Sequence, residues 1–205
     1  MTTRTRSSLT SIPNLLGVAR IAATPVVIVL VLLGFPGSGI LAFVVFAAAA
    51  ATDYLDGRIA RARGQVSPLG VFMDLTADKV LVAGVLVVMV EVGLLPTWIV
   101  ATILIRELIV QGVRQVAAAA DVVIAARALG KSKTLITLVA MAVLLLAFDG
   151  RSGGPLAGIG SQAVDALAVG GLWLMVLATL LTVVSGLDYL RGAAPLLLGH
   201  DRDVG

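Results

Sequence analysis

Six apolar runs follow one another along the chain, at roughly 14–34, 39–62, 71–93, 96–119, 133–149 and 162–190. Most are close to the about 20 residues that an α-helix needs to cross a hydrocarbon layer. Lipid offers no water to satisfy peptide groups, so a helix is the only structure by which a single segment can cross it. The composition agrees: 59% of the 205 residues are hydrophobic and 13% are charged, with a mean hydropathy of +1.07. A water-soluble domain of this size could not hide so much apolar surface. The chain therefore reads as an all-α integral membrane protein. It forms one domain over 1–205, a bundle of six transmembrane helices, with polar tails at 1–11 and 192–205. GFPGSG, GQVSPLG, EVGLLP, DVVIAARALGKSK and DGRSGGPLAGIGS mark the turns, and no internal repeat is evident.

Several chemistries are excluded at once. With no cysteine there are no disulfides, thiolate metal sites or cysteine nucleophiles. The lone His200 sits in a polar tail, away from any histidine triad. No nucleic-acid motif is present, and basic loops account for the isoelectric point near 9.8. The opening MTTRTRSSLT leads into an apolar run without a small-residue cleavage site before Pro25, so the first run is expected to be a retained helix. Arg4, Arg6, Arg58, Arg61, Arg63, Arg127, Lys131, Lys133 and Arg191 all fall on one side of a six-span topology, against Arg151 on the other. That asymmetry places both termini and the 2–3 turn in the cytoplasm. Glu91, Asp149 and Arg151 then mark the outer boundary, and Trp98 and Trp173 read as interfacial or packing residues. Gly170, Gly171 and Gly186 allow close helix contact, including contact with a second copy in a homodimer.

The cytoplasmic side of runs two and three holds four aspartates, Asp53, Asp56, Asp74 and Asp78. Spacings of three and four residues put each pair on one helix face. The helices run in opposite directions, so the two pairs can meet. Four carboxylates together repel one another unless cations lie between them. Hard oxygen ligands suit Mg²⁺ or Mn²⁺, and two ions can share four carboxylates. Gly57 and Ala60 share the face of Asp53 and Asp56 and leave room beside it, while Gly70 does so one turn before Asp74. Arg61, one turn after Gly57, is suited to a phosphate. The competing reading is a set of interfacial charges capping helix ends. One aspartate would favour it; four at these spacings do not.

This stretch resembles the signature of the CDP-alcohol phosphatidyltransferase family, D-x2-D-G-x2-A-R-x8-G-x3-D-x3-D. Asp53, Asp56, Gly57, Ala60, Arg61, Gly70, Asp74 and Asp78 fill all eight positions over 26 residues. The resemblance implies a six-helix fold and a reaction in which a CDP-linked lipid gives its phosphatidyl group to an alcohol and CMP leaves. It also implies that Asp53, Asp56, Asp74 and Asp78 bind two divalent ions and that Asp78 serves as the base. Asp53, Gly57, Ala60, Arg61, Ser67 and Gly70 would line the site of the CDP-lipid.

Three softer stretches resemble phosphatidylglycerophosphate synthases within that family. They are IPNLLGVARI, with Gly17 where threonine is usual; RELIVQGVRQVAA, with Arg106, Glu107 and Arg114; and LGKSKTLITLVA, with Thr137 where glutamine is usual. They imply CDP-diacylglycerol and glycerol 3-phosphate as substrates, with Arg114, Lys131 or Lys133 on the acceptor's phosphate. Taken alone, Arg106 and Glu107 read equally as an ion pair fixing helix packing. Lys131 and Lys133 also read as ordinary positive-inside residues or as contacts for anionic lipid headgroups. Cardiolipin synthase and phosphatidylinositol phosphate synthase are alternatives within the same chemistry. A divalent-cation transporter is the alternative outside it, but it would spread acids through the membrane depth rather than gather them at one end.

Overall fold

The computed structural model describes residues 12–63, 68–120, 122 and 129–197. Among these residues there are six α-helices: α1 (Ile12–Leu33), α2 (Ser38–Arg63), α3 (Pro68–Glu91), α4 (Thr97–Ala119), α5 (Leu129–Arg151) and α6 (Ser161–Leu197). A 3-10 turn, Pro155–Ile159, joins α5 to α6, and the described residues contain no strand. All six apolar runs are helices, as expected. Stretches 15–33, 132–151 and 161–196 are long and apolar enough to cross a membrane, and 38–52 is apolar over a shorter length. In α4, any 18 successive residues include Arg106, Glu107 and Arg114, so its charge interrupts an otherwise apolar helix.

Two boundaries differ from the sequence reading. Helix α5 begins at Leu129 rather than 133, so Lys131 and Lys133 belong to a helix and not to the preceding loop. Helix α6 runs on through Arg191 to Leu197, so the first six residues of the expected 192–205 tail are helical. At about 1.5 Å per residue the 37 residues of α6 are longer than a ~30 Å hydrocarbon layer is thick. The apolar run marks the part matched to lipid, whereas the hydrogen-bonded helix continues past it into AAPLL, which has good helix formers. The turn after α1 requires Gly34, whose φ of 58° is the left-handed conformation that ends helices.

Helix α1 packs against both α2 and α3, α5 packs along α6 and against α2, and α4 packs on α6. By contrast, α3 touches α2, α4 and α5 only sparsely. The core interleaves Val27 and Val31 of α1, Phe46 of α2, Leu86 and Met89 of α3, Ile99 of α4 and Met141 and Leu145 of α5. Large apolar side chains such as Val29, Val44, Val87, Leu108 and Leu180 remain exposed, as lipid contact requires. Of the three glycines expected at close contacts, Gly171 meets Leu144 and Gly186 meets Arg106 inside the bundle, whereas Gly170 faces open space.

The end opposite the aspartates is pinned by one carboxylate. Asp149, expected as a boundary charge, is 0% exposed. Its Oδ1 accepts from the backbone N–H of Ile40, the third residue of α2, at 3.2 Å. Its Oδ2 accepts from the N–H of Leu156, in the 3-10 turn, at 3.1 Å. A carboxylate in the last turn of its own helix opposes that helix's dipole. Here it is directed at two other helix starts, where orphan N–H groups and positive dipole ends favour it. The approach is close enough to require glycine: a Cβ on Gly39 would lie 2.5 Å from the Asp149 nitrogen, and one on Gly154 would collide with the carboxylate.

Asp149→Ala should therefore leave two N–H groups without their acceptor and cost roughly 2–4 kcal/mol. Asp149→Asn, which keeps one oxygen acceptor, should cost clearly less. Thermal unfolding in detergent measures both, and equal stability of the alanine variant would contradict the two-helix cap.

Candidate active site

Helix α2 continues unbroken to Arg63 and α3 starts at Pro68, leaving four residues between two antiparallel helices. Proline is well suited to the first helical position, because its missing N–H would be unpaired there in any case. The helix register thus holds the spacing that the sequence implied. Asp53, Asp56, Gly57, Ala60 and Arg61 lie along the last turns of α2. Gly70, Asp74 and Asp78 follow at four-residue steps in the first half of α3, on one stripe. Ser67 lies outside the described residues, and of the four carboxylates only that of Asp78, half-buried, is described. Among the described residues no cluster of metal-ligating side chains occurs. The donor types still fit a hard divalent cation: four aspartates on the helix segments that flank residues 64–67, with no nitrogen or sulfur ligand among them.

Lys79, the residue after Asp78, belongs to a network of charge that joins four helices. Glu107, on α4, is its centre. Its Oε1 accepts from Lys133 Nζ of α5, and from Arg106 Nη1 at 3.0 Å. Its Oε2 lies 4.0 Å from Lys79 Nζ of α3. Lys79 also donates to Gln111 Oε1, one turn further along α4. Arg106 Nη2 donates to Ser185 Oγ of α6 at 3.0 Å, passing over Gly186, where a Cβ would meet Arg106 Cγ at 2.9 Å. Glu107 is 34% exposed, Arg106 14% and Lys133 only 9%. On these four side chains three cations face one carboxylate, a surplus of positive charge that favours an anion.

The candidate acceptor residues divide. Lys133 sits in the network, with Thr137 Oγ1 donating to its carbonyl at 2.9 Å. Arg114 does not join it: its guanidinium stands 5.9 Å from the Tyr189 ring of α6, an exposed cation–π contact two turns along α4 from Glu107. Lys131 lies in the first turn of α5, and its side chain is outside the described residues. Of the two readings of Arg106 and Glu107, the ion pair is present at 3.0 Å, but it is one edge of a wider network.

Three participants escaped the sequence reading. Lys79 is a charge halfway along an apolar run, next to a signature aspartate, and that placement was its signal. Gln111 falls one turn after Glu107, but a lone glutamine carries little weight. Arg20 is 1% exposed, and its Nε donates to the Ala49 carbonyl at 3.3 Å, one turn before Asp53. It thereby ties α1 to the stretch of α2 that bears the aspartates.

Known proteins resemble this chain along most of its length. The family model described as CDP-alcohol phosphatidyltransferase matches residues 10–186. A protein of Bacillus subtilis named CDP-diacylglycerol–glycerol-3-phosphate 3-phosphatidyltransferase is 36% identical over 148 residues, covering 66% of this chain and 77% of that one. A Rickettsia bellii protein of the same name is 30% identical over 181 residues, 88% of this chain and 94% of that one. A rice protein named cardiolipin synthase (CMP-forming) is 32% identical over 204 residues, 93% of this chain and 59% of that one.

Glu107→Gln should destabilise the bundle, because three cations would then share no countercharge. Removing one partner of a buried ion pair costs several kcal/mol; with a third of Glu107 exposed, roughly 1–3 kcal/mol is expected. The readout is the unfolding midpoint in detergent, and an unchanged midpoint would reduce the network to surface pairing.

Proposed function

The chain belongs to the CDP-alcohol phosphatidyltransferase family, and on that premise we propose that it transfers the phosphatidyl group of CDP-diacylglycerol to glycerol 3-phosphate. The products are phosphatidylglycerophosphate and CMP. The observation that supports the chemistry is the eight-position signature, carried by the end of α2 and the first half of α3. The names of the Bacillus and Rickettsia relatives support the acceptor. So does the surplus of cations around Glu107, which suits an acceptor carrying a phosphate better than a neutral polyol.

Asp53, Asp56, Asp74 and Asp78 are the residues that would hold the divalent cations that the family uses, two ions of Mg²⁺ or Mn²⁺. When bound, such ions neutralise the diphosphate and stabilise charge on the departing CMP oxygen. The remaining work belongs to the chain. Asp78 takes the proton of the attacking hydroxyl as the new P–O bond forms and the bond to CMP breaks. Arg61, with the small Gly57, Ala60 and Gly70 near it, holds the CDP-lipid, and Ser67 and Asp53 contribute to the same subsite. Lys133, with Arg106 and Lys79, holds the acceptor's phosphate, and Arg114 and Lys131 are the further candidates for that phosphate. Positioning of this kind supplies most of the catalysis in phosphoryl transfer. The acyl chains stay in the bilayer while the diphosphate enters from the cytoplasm, the side on which the basic residues gather. The rice relative supports a second reading, in which phosphatidylglycerol is the acceptor and cardiolipin the product.

Activity should require Mg²⁺ or Mn²⁺ and vanish in chelator, and Asp78→Asn should lower CMP release by about 100- to 10,000-fold in a folded protein. Full turnover in metal-free buffer, or a near-normal rate in the variant, would sink the metal-and-base assignment. The acceptor is decided by incubating purified protein and CDP-diacylglycerol with glycerol 3-phosphate, glycerol, inositol phosphate or phosphatidylglycerol and identifying the lipid formed. Glycerol 3-phosphate should be used well and glycerol poorly. Lys133→Ala should raise the KM for glycerol 3-phosphate about tenfold or more while leaving that for CDP-diacylglycerol nearly unchanged. Cardiolipin as the sole product would overturn the acceptor and leave the family chemistry standing.

A further inference from the structure

Helix α3 sets up a conflict of charge. Lys79 follows Asp78 directly, on the helix that also carries Asp74. An ammonium on a flexible four-carbon stem, placed beside a group of carboxylates, is drawn to pair with them. Every carboxylate paired in that way is lost to a divalent cation. In the structure Lys79 reaches across to α4. Its Nζ donates to Gln111 Oε1 and stands 4.0 Å from Glu107 Oε2. A separation of 4.0 Å is beyond hydrogen-bond range, and Glu107 is already engaged by Lys133 and Arg106. Gln111 is therefore the hydrogen-bond acceptor that fixes Lys79 among the described residues. It is half-buried, and it is neutral, so it holds the ammonium in place without cancelling its charge. The sparse contact of α3 with α4 leaves this tie with little apolar packing to assist it.

We infer that Gln111 is a positioning residue for the aspartate site: by holding Lys79 against α4, it keeps that ammonium off the carboxylates needed by the divalent cations. The inference rests on the metal-dependent reading given above. Gln111 touches neither metal nor substrate and acts through Lys79 alone. Its loss frees the ammonium to swing toward Asp78 and its neighbours, where it competes with the cation for the same oxygens. Outer residues that orient the ligands of a metal site typically contribute about 10- to 100-fold to metal affinity.

The test is a titration of detergent-purified protein with Mn²⁺, without substrate, following the electron paramagnetic resonance of the free ion. Four proteins are compared: the parent, Gln111→Met, Lys79→Met and the double variant. Gln111→Met should bind Mn²⁺ about tenfold or more weakly. Lys79→Met should bind at least as tightly as the parent, and the double variant should recover the parent's affinity. That recovery separates positioning from mere structural damage, because removing a second polar residue would not repair a distorted bundle. Unchanged affinity in Gln111→Met, a double variant as weak as Gln111→Met, or an equal loss in Lys79→Met would each overturn the inference. Absence of Mn²⁺ binding by the parent is a different outcome: it would sink the metal-dependent function itself, and this inference with it.

Discussion

Glu107 joins by charge what apolar packing leaves loosely joined. In lipid, one apolar helix gains little by exchanging hydrocarbon for another helix, so polar ties and close packing decide which helices stay together. Helix α3 leans on α1 and touches α4 and α5 sparsely. Among the described residues, the polar contacts that cross this gap run from Lys79 to Gln111 and Glu107, and Glu107 in turn meets Lys133 of α5 and Arg106 of its own helix. Ser185 extends the chain of contacts to α6. Removing Glu107 from such a network leaves three cations without the carboxylate they share.

The two ends of the bundle use carboxylates in different ways. Asp149 is wholly buried and accepts two backbone N–H groups, from α2 and from the 3-10 turn, with Gly39 and Gly154 pressed against it. Its partners are fixed parts of the main chain, so this end is a closed joint. Glu107 accepts from flexible side chains and is a third exposed. Its cations can exchange one oxygen ligand for another at small cost. A rigid end and an adjustable, cationic one are what a site needs if an anionic substrate is to enter from one side only.

The aspartates acquire their setting from this contrast. Arg20, buried against the Ala49 carbonyl, anchors α1 to α2 one turn ahead of Asp53. Lys79 anchors α3 to α4 one residue past Asp78. The two helices that carry the signature are thus each tied to a different neighbour.

The number and order of the helices were legible in the sequence, as was the placing of Asp53 and Asp56 late in α2 and of Asp74 and Asp78 in the first half of α3. Those features depend on the length of apolar runs and on spacings of three and four residues, which are local properties of the chain. The partners of the other polar residues were not legible. Lys79 finds Gln111 32 positions away, Lys133 finds Glu107 26 away, and Asp149 finds Ile40 109 away. A helix that is apolar on nearly every side carries no stripe to say which face turns inward. Its rotation is settled only when all six helices pack, and that rotation decides whether Lys79 meets α4 and whether Asp149 faces headgroups or a helix start. The sequence by itself determined a membrane bundle with four carboxylates at one end. The tertiary structure alone decided which cations meet Glu107, because contacts such as those of Lys79 and Lys133 belong to pairs of helices and to no single segment.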